Sequence, residues 1–380
     1  MSGIEFLRIT VLVVFSLNGL LALTLIVWKA VHRRRQKGYE RRRVAYLTLL
    51  SRHLADPDED LEMSPMVAED QAFLDALIDI RTSVTGAESD ALAEVIGSYG
   101  VMDRYARRLG SRHFRIRRLR AAVALAEVAD SSRAGVLMKA LDDHDPEVRI
   151  QAARGLGRMK WTPAIDKIVD RFSIETPWVR ARFSDTLIGF GQKATWPLVA
   201  YVKVNHRFET AGPTAAIRTL GTIGDQDAAR PMVEVLEQAF HLEIQLPTIE
   251  TLGVLGAPIA VPHLEALMDA EDWRLRAKAA GALGDIRDVS AVDRLALGLT
   301  DRNWWVRRNS AAALGKIPGG VRLLYHAISS ADPFARDAAA EALYDAGELI
   351  AARRRVDQGE ATPNDLALIR LIAQEEVLAS

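Results

Sequence analysis

The chain has 380 residues, more than one compact core usually serves, and a formal net charge of −1, so no overall field argues for nucleic acid or acidic substrates. It has no cysteine, which excludes disulfides, thiolate zinc sites, iron–sulfur clusters and cysteine nucleophiles together. Aromatic residues are sparse at 6%, while alanine and leucine are abundant, a composition suited to closely packed helices.

The first element runs from Ile9 to Trp28, "ITVLVVFSLNGLLALTLIVW", with no charge. At about 1.5 Å per residue it is roughly 30 Å long, the hydrocarbon thickness of a bilayer. Lys29, His32 and Arg33 follow it where a cleaved signal peptide would have small residues, so the spacing predicts a retained transmembrane helix over 9–28. Residues 1–8 are then a short extracytoplasmic stub. Eight basic side chains crowd residues 29–43 against the single acid Glu40, which places the N-terminus outside and the rest of the chain in the cytoplasm, at the inner membrane. The same cluster suits anionic headgroups. Asn18 beside Gly19, near the middle of the span, is a candidate for pairing with another membrane helix, or simply a tolerated amide. An acidic linker closes the segment 29–66, and residues 44–100 hold twelve acidic side chains against two basic ones.

Beyond it the chain repeats itself. "HDPEVRIQAARGLG" (144–157) aligns with stretches beginning at Thr176, Asp272, Asn303 and Asp332. A leucine closes the first helix of each unit at Leu125, Leu156, Leu187, Leu220, Leu252, Leu283, Leu314 and Leu343, with successive gaps of 31, 31, 33, 32, 31, 31 and 29 residues. Asp145, Thr176, Asp272, Asn303 and Asp332 are favoured helix N-caps, and Pro146, Pro177 and Pro333 sit at the favoured first helical position. Small pairs such as Ala279-Ala280 let a second helix lie close. The glycines after the leucines (Gly157, Gly221, Gly253, Gly284, Gly315) suit C-terminal caps.

This pattern, D-P-x-V-R-x-x-A-A-x-x-L-G at 145–157 and nearly so at 272–284 and 303–315, closely resembles HEAT repeats, especially the short bacterial subclass named after phycobilisome lyases. The resemblance implies an all-α, HEAT-type α-solenoid of about eight helical hairpins over 67–356, with a capping helix over 357–380. It also implies a structural ladder of Asp145, Arg149, Arg180, Asp272, Arg276, Arg307, Asp332 and Arg336. The unit ending at Leu220, with Gly212 near the arginine position, and the unit ending at Leu252, with Pro247, depart from the pattern. Weaker contacts there allow a bend, or mark where a partner packs.

No catalytic constellation appears: the eight histidines are scattered and no glycine-rich phosphate loop follows a strand. No enzyme activity, cofactor, metal or small-molecule substrate is expected. Arg104, Arg107, Arg108, Arg112, Arg115, Arg117, Arg118 and Arg120 form a basic patch. Pairing with the acidic stretch at 55–94 or with a protein comes first for it, anionic lipid second and nucleic acid third. Trp178, Trp273, Trp304, Trp305 and Phe334 fall at the first turn of successive first helices, along one edge of the stack. At least half of their ring area is expected to pack between repeats, with the remainder offered to a partner.

The function expected is a membrane-anchored cytoplasmic scaffold or adaptor that positions or regulates a protein partner, with an envelope-polysaccharide enzyme complex as one client of this kind. The alternatives are a lyase-like accessory subunit with a small-molecule pocket, and nucleic-acid or lipid binding through 104–120.

Overall fold

The computed structural model describes residues 3–56, 67, 70–83, 92, 100–111 and 114–379, and the side chains of these except at 3–16, 78, 81–82, 101 and 374–379. All described secondary structure is helical, and its contacts divide the chain into two compact units, Met1–Met159 and Lys160–Ser380.

In the first unit, helix α1 runs unbroken from Gly3 to Ala55, through the predicted span and the basic cluster alike. Among the described residues no helix is long and apolar enough to cross a membrane. The predicted span 9–28 has its first eight side chains outside that description, and its described apolar residues, Leu17 to Trp28, are exposed. Helix α2 (Gln71–Ser83) packs along the C-terminal part of α1. Tyr46 meets Phe73 edge-on at 5.4 Å, and Leu50, Phe73, Leu74 and Leu77 are buried. Three acids of α2 and its approach hold α1: Asp70 binds Arg42 at 2.7 Å, Asp75 accepts from Tyr39, and Asp79 pairs with Arg43. Helices α3 (Val101–Leu109), α4 (Arg115–Val128), α5 (Ala134–Ala140) and α6 (Pro146–Arg158) follow, with α6 laid against α4.

The second unit repeats one motif, a long helix and then a shorter one. The long helices are α8 (Pro177–Phe190), α10 (Ala211–Ile223), α12 (Leu242–Val254), α14 (Trp273–Ile286), α16 (Trp304–Lys316) and α18 (Pro333–Asp345). The shorter ones are α7 (Ala164–Asp170), α9 (Thr195–Asn205), α11 (Ala229–Gln238), α13 (Val261–Leu267), α15 (Val292–Gly298), α17 (Gly320–Ala327) and α19 (Glu348–Asp357), before a final α20 (Pro363–Ala379). Long helices pack on the next long helix, and all eight closing leucines are buried, which is why the period is so regular.

Asp145, Asp272, Asn303 and Asp332 cap their helices by accepting backbone N–H groups two residues on. Thr176 occupies the same place but makes no side-chain cap. The glycines after the leucines do not cap helices. They lie inside them, and at Gly253 and Gly284 the neighbouring long helix approaches too closely for a side chain. A Cβ on Gly284 would sit 2.6 Å from Cα of Ala313 on α16. Gly284→Ala is therefore expected to destabilise by about 1–2 kcal/mol net, since overpacking costs about 1–3 kcal/mol and outweighs the helix-propensity gain of up to about 1 kcal/mol. Gly281→Ala, on the same helix with nothing within 4 Å, should instead stabilise. Urea melts of the two variants check the opposite signs.

Candidate functional site

The ladder is built from the fourth residue of each long helix. Arg276 donates through Nη1 to the carbonyls of Ala270 and Glu271, at 2.7 and 2.9 Å, closing the turn before its own helix. Its Nε and Nη2 grip both carboxylate oxygens of Asp301, in the next repeat, at 2.8 and 3.0 Å. Asp301 in turn accepts the N–H of Asn303 at 2.7 Å. Burial pushes the Asp301 carboxyl up, but the Arg276 guanidinium and the Asn303 N–H hold it below the ordinary value. Arg149, Arg180 and Arg307 make the same turn-closing bonds to carbonyls of the preceding turn. Arg307 also stacks over the ring of Phe334, 4.9 Å away. Arg336 occupies this slot in α18, and its Nε is buried with no hydrogen-bond partner.

The acids that receive the ladder are therefore not the capping residues Asp145, Asp272 and Asp332, which serve their own helices. They are Asp143 and Asp301, two positions before a cap. The first unit repeats the rung: Arg118 on α4 grips Asp143 at 2.8 and 3.0 Å. Arg118, placed by sequence in the basic patch, is a ladder arginine.

That patch is largely committed elsewhere. Arg115 pairs with Asp145, Arg117 stacks on Phe114 at 4.4 Å, and Arg108 lies over Tyr105. Arg107 and Arg120 are exposed, Arg104 is half-buried, and Arg112 lies outside the described residues. The acids found on Arg115 and Arg118 are downstream, whereas Asp70, Asp75 and Asp79 of the upstream acidic stretch face α1. Asn18 and Gly19 are exposed on α1.

The departing units replace the ladder with other groups. In the unit ending at Leu252 the arginine slot holds Gln245, whose amide still donates to the carbonyl of Ala239 at 3.0 Å. In the unit ending at Leu220 the slot is Pro213. There the Tyr201 hydroxyl bonds Ser173 and Glu209, each at 2.7 Å. Burial, with the Glu209 carboxylate adding to it, raises that hydroxyl above its ordinary value. Gly212 is required beside it, because a Cβ would fall 2.2 Å from the Tyr201 oxygen.

The aromatic residues share the loop edge of the second unit. Trp178, Trp273, Trp304, Trp305 and Phe334 are 47%, 39%, 48%, 46% and 60% exposed. The four tryptophans thus bury just over half of their area, and Phe334 less. Trp304 and Trp305 meet edge-on at 4.6 Å, and Arg308, tied to Glu341, lies over Trp304 at 5.6 Å. The row continues through residues that sequence reasoning missed. Phe208 and Phe240, in the turns before α10 and α12, are 83% and 89% exposed. Among the described residues no cluster of His, Asp or Glu could hold a metal ion.

Residues 108–187 and 264–343 match the family model described as HEAT repeats. These two stretches are HEAT repeats. No curated protein matches the chain. Solved structures resemble it in fold alone. The karyopherin Kap121p, bound to the extreme C-terminus of the protein phosphatase Cdc14p, is 14% identical with TM-score 0.54, over 85% of this chain and 40% of that one. A Kap95p–RanGDP structure gives 12% and 0.52, over 86% and 49%. The chain thus spans less than half of these relatives. The CpcE–CpcF complex of phycocyanin lyase from Nostoc sp. PCC7120 is 20% identical over 64% of this chain and 94% of that one, but at TM-score 0.30 it carries no argument.

Proposed function

We propose that this HEAT-repeat chain is a non-catalytic scaffold that holds a protein partner on the aromatic edge of its second unit. The observation that carries the reading is the row from Trp178 to Phe334, in which consecutive repeats each leave a large ring half open at the same end. Tryptophan and arginine at such an edge are the residues that dominate protein interfaces. Similar folds hold protein segments, as Kap121p holds the end of Cdc14p.

We further propose that residues 9–28 tether the chain to the inner membrane, with the N-terminus outside. The support is a twenty-residue stretch without charge, followed by eight basic side chains, and apolar side chains from Leu17 to Trp28 that are exposed among the described residues. Trp305→Ala is expected to reduce capture of the partner from native membranes about tenfold or more, with only a modest fall in melting temperature from the buried part of the ring. A large loss of stability with capture intact would assign the rings to packing and sink the reading.

A further inference from the structure

A groove of about 480 Å³ opens between α8 and α10, with Glu243 at the start of α12 among its lining residues. It lies where the repeat departs from its pattern, beside the unit whose ladder arginine is Pro213. Small side chains face each other across it, with Ala181 and Ser184 on one wall and Ala215 on the other, and Thr219 hydrogen-bonds Ser184 at 2.9 Å to tie the two helices. The trough is therefore open between the two helices and tied across by that bond.

Two guanidiniums line it. Arg180 spends Nη1 on the carbonyls of Phe172 and Glu175, which anchors the side chain and leaves the other face of its fork to the groove. Arg218 is exposed, and among the described residues no carboxylate lies within ion-pair distance of it. That is unusual for its place, two residues before the closing leucine. Arg154, Glu250 and Glu341 occupy the same position in other repeats, and all three are in ion pairs. An arginine fork without an acid, facing a preformed trough, is arranged to receive a carboxylate from outside. Two exposed rings are close to the groove residues in sequence: Trp178 follows Pro177, and Phe208 lies two residues before Thr210.

We infer that this groove binds an extended acidic peptide segment of a partner protein, with its carboxylates on Arg180 and Arg218 and an apolar side chain against Trp178 and Phe208. The inference rests on the scaffold reading and adds the chemistry of the segment recognised. The test is fluorescence anisotropy on the full chain, with a labelled peptide of Asp, Glu and Leu as probe. Matched controls replace the acids by Asn and Gln, and a labelled DNA duplex stands in for other polyanions. The acidic peptide should bind, and the amide peptide about tenfold more weakly or worse. Arg218→Glu should weaken the acidic peptide about tenfold, the loss of one charged contact. Because Arg218 is exposed, its melting temperature should not move. Ala181→Trp should block the groove. Equal binding of acidic and amide peptides, indifference to Arg218→Glu, or preference for the DNA duplex would overturn the inference. If Arg218→Glu leaves partner capture intact while Trp305→Ala abolishes it, the groove assignment alone fails. If neither variant affects capture, the scaffold edge fails as well.

Discussion

Arg276→Met is expected to cost about 3–5 kcal/mol, the penalty for removing one partner of a buried ion pair. The pair qualifies, with side chains only 6% and 14% exposed. Without Arg276, the Asp301 carboxylate keeps the Asn303 N–H but loses both charged bonds, the carbonyl of Ala270 loses its donor, and that of Glu271 keeps only Arg302 at 3.5 Å. Asp301→Asn should cost less, because the amide oxygen still accepts from Asn303. The double variant should be more stable than the sum of the singles by about 0.5–3 kcal/mol, the range for residues in contact. The acid limb of stability should change as well. A carboxyl held low in the fold stabilises above its unfolded value of 3.8, and that contribution is lost as pH falls through the folded value. Urea midpoints from pH 7 to 3 would show this limb in the parent chain and its loss in Arg276→Met. Equal midpoints at pH 7 would show that the rung holds nothing.

Much of this frame is legible in the sequence. The leucine period reports burial directly, because a helix pair that stacks on its neighbour must present one fully covered residue at a fixed place. The aspartates before the long helices read as caps because a cap is a local interaction between residues two apart. The rungs are not local. Asp143 and Asp301 stand 25 residues after the arginines they bind, and alignment on the Asp-Pro step leaves them one turn outside the motif. What marks them is the spacing Asp-x-Asp or Asp-x-Asn, in which the first acid takes the N–H of the capping residue and still has oxygens free for a guanidinium. The glycines mislead for a related reason. Glycine after a helical leucine commonly ends a helix, and only the distance to Ala313 reveals that it admits a neighbouring helix instead.

The candidate site divides in the same way. The tryptophans are legible because they recur in register with the caps. Phe208 and Phe240 are not, since they fall in turns of the two irregular units, where the register is lost. The departure near Gly212 is visible in the sequence, and the groove beside it follows from the small residues facing across α8 and α10. The vacancy around Arg218 could not be read from sequence. Asp185 and Glu250 flank it at equivalent positions of the neighbouring helices, and a rod-like stack would pair them. In the structure Asp185 turns to Arg182 and Glu250 to Lys278.

The C-terminal helix should detach first in acid, and Asp365→Asn should reproduce that state at neutral pH. Asp365 is 1% exposed and saturated with donors. One oxygen accepts Nε and Nη2 of Arg355 at 3.1 and 2.6 Å. The other accepts the N–H and hydroxyl of Thr362 at 2.8 and 2.7 Å, and the Asp365 N–H returns a bond to the Thr362 hydroxyl. This is a capping box whose carboxylate is also an ion-pair partner, at a helix end that favours negative charge. Arg355 extends the lock to the Tyr325 hydroxyl at 2.8 Å, so α17, α19 and α20 are joined through one guanidinium. Its charge, together with the Thr362 donors, holds the Asp365 carboxyl at about 2. The contribution is therefore complete above the unfolded value of 3.8 and disappears as pH falls towards about 2. An asparagine keeps the shape but not the charge, and loses about 1–2 kcal/mol, because Arg355 is 34% exposed and solvent screens part of the pairing. Hydrogen exchange at the amides of α20 measures it. Protection in Asp365→Asn should fall at pH 7 and converge on that of the parent chain as pH falls below about 2, where both side chains become neutral. Unchanged protection at pH 7 would mean that α20 is held by its apolar face through Leu368 and Ile372, which are buried, and not by the lock.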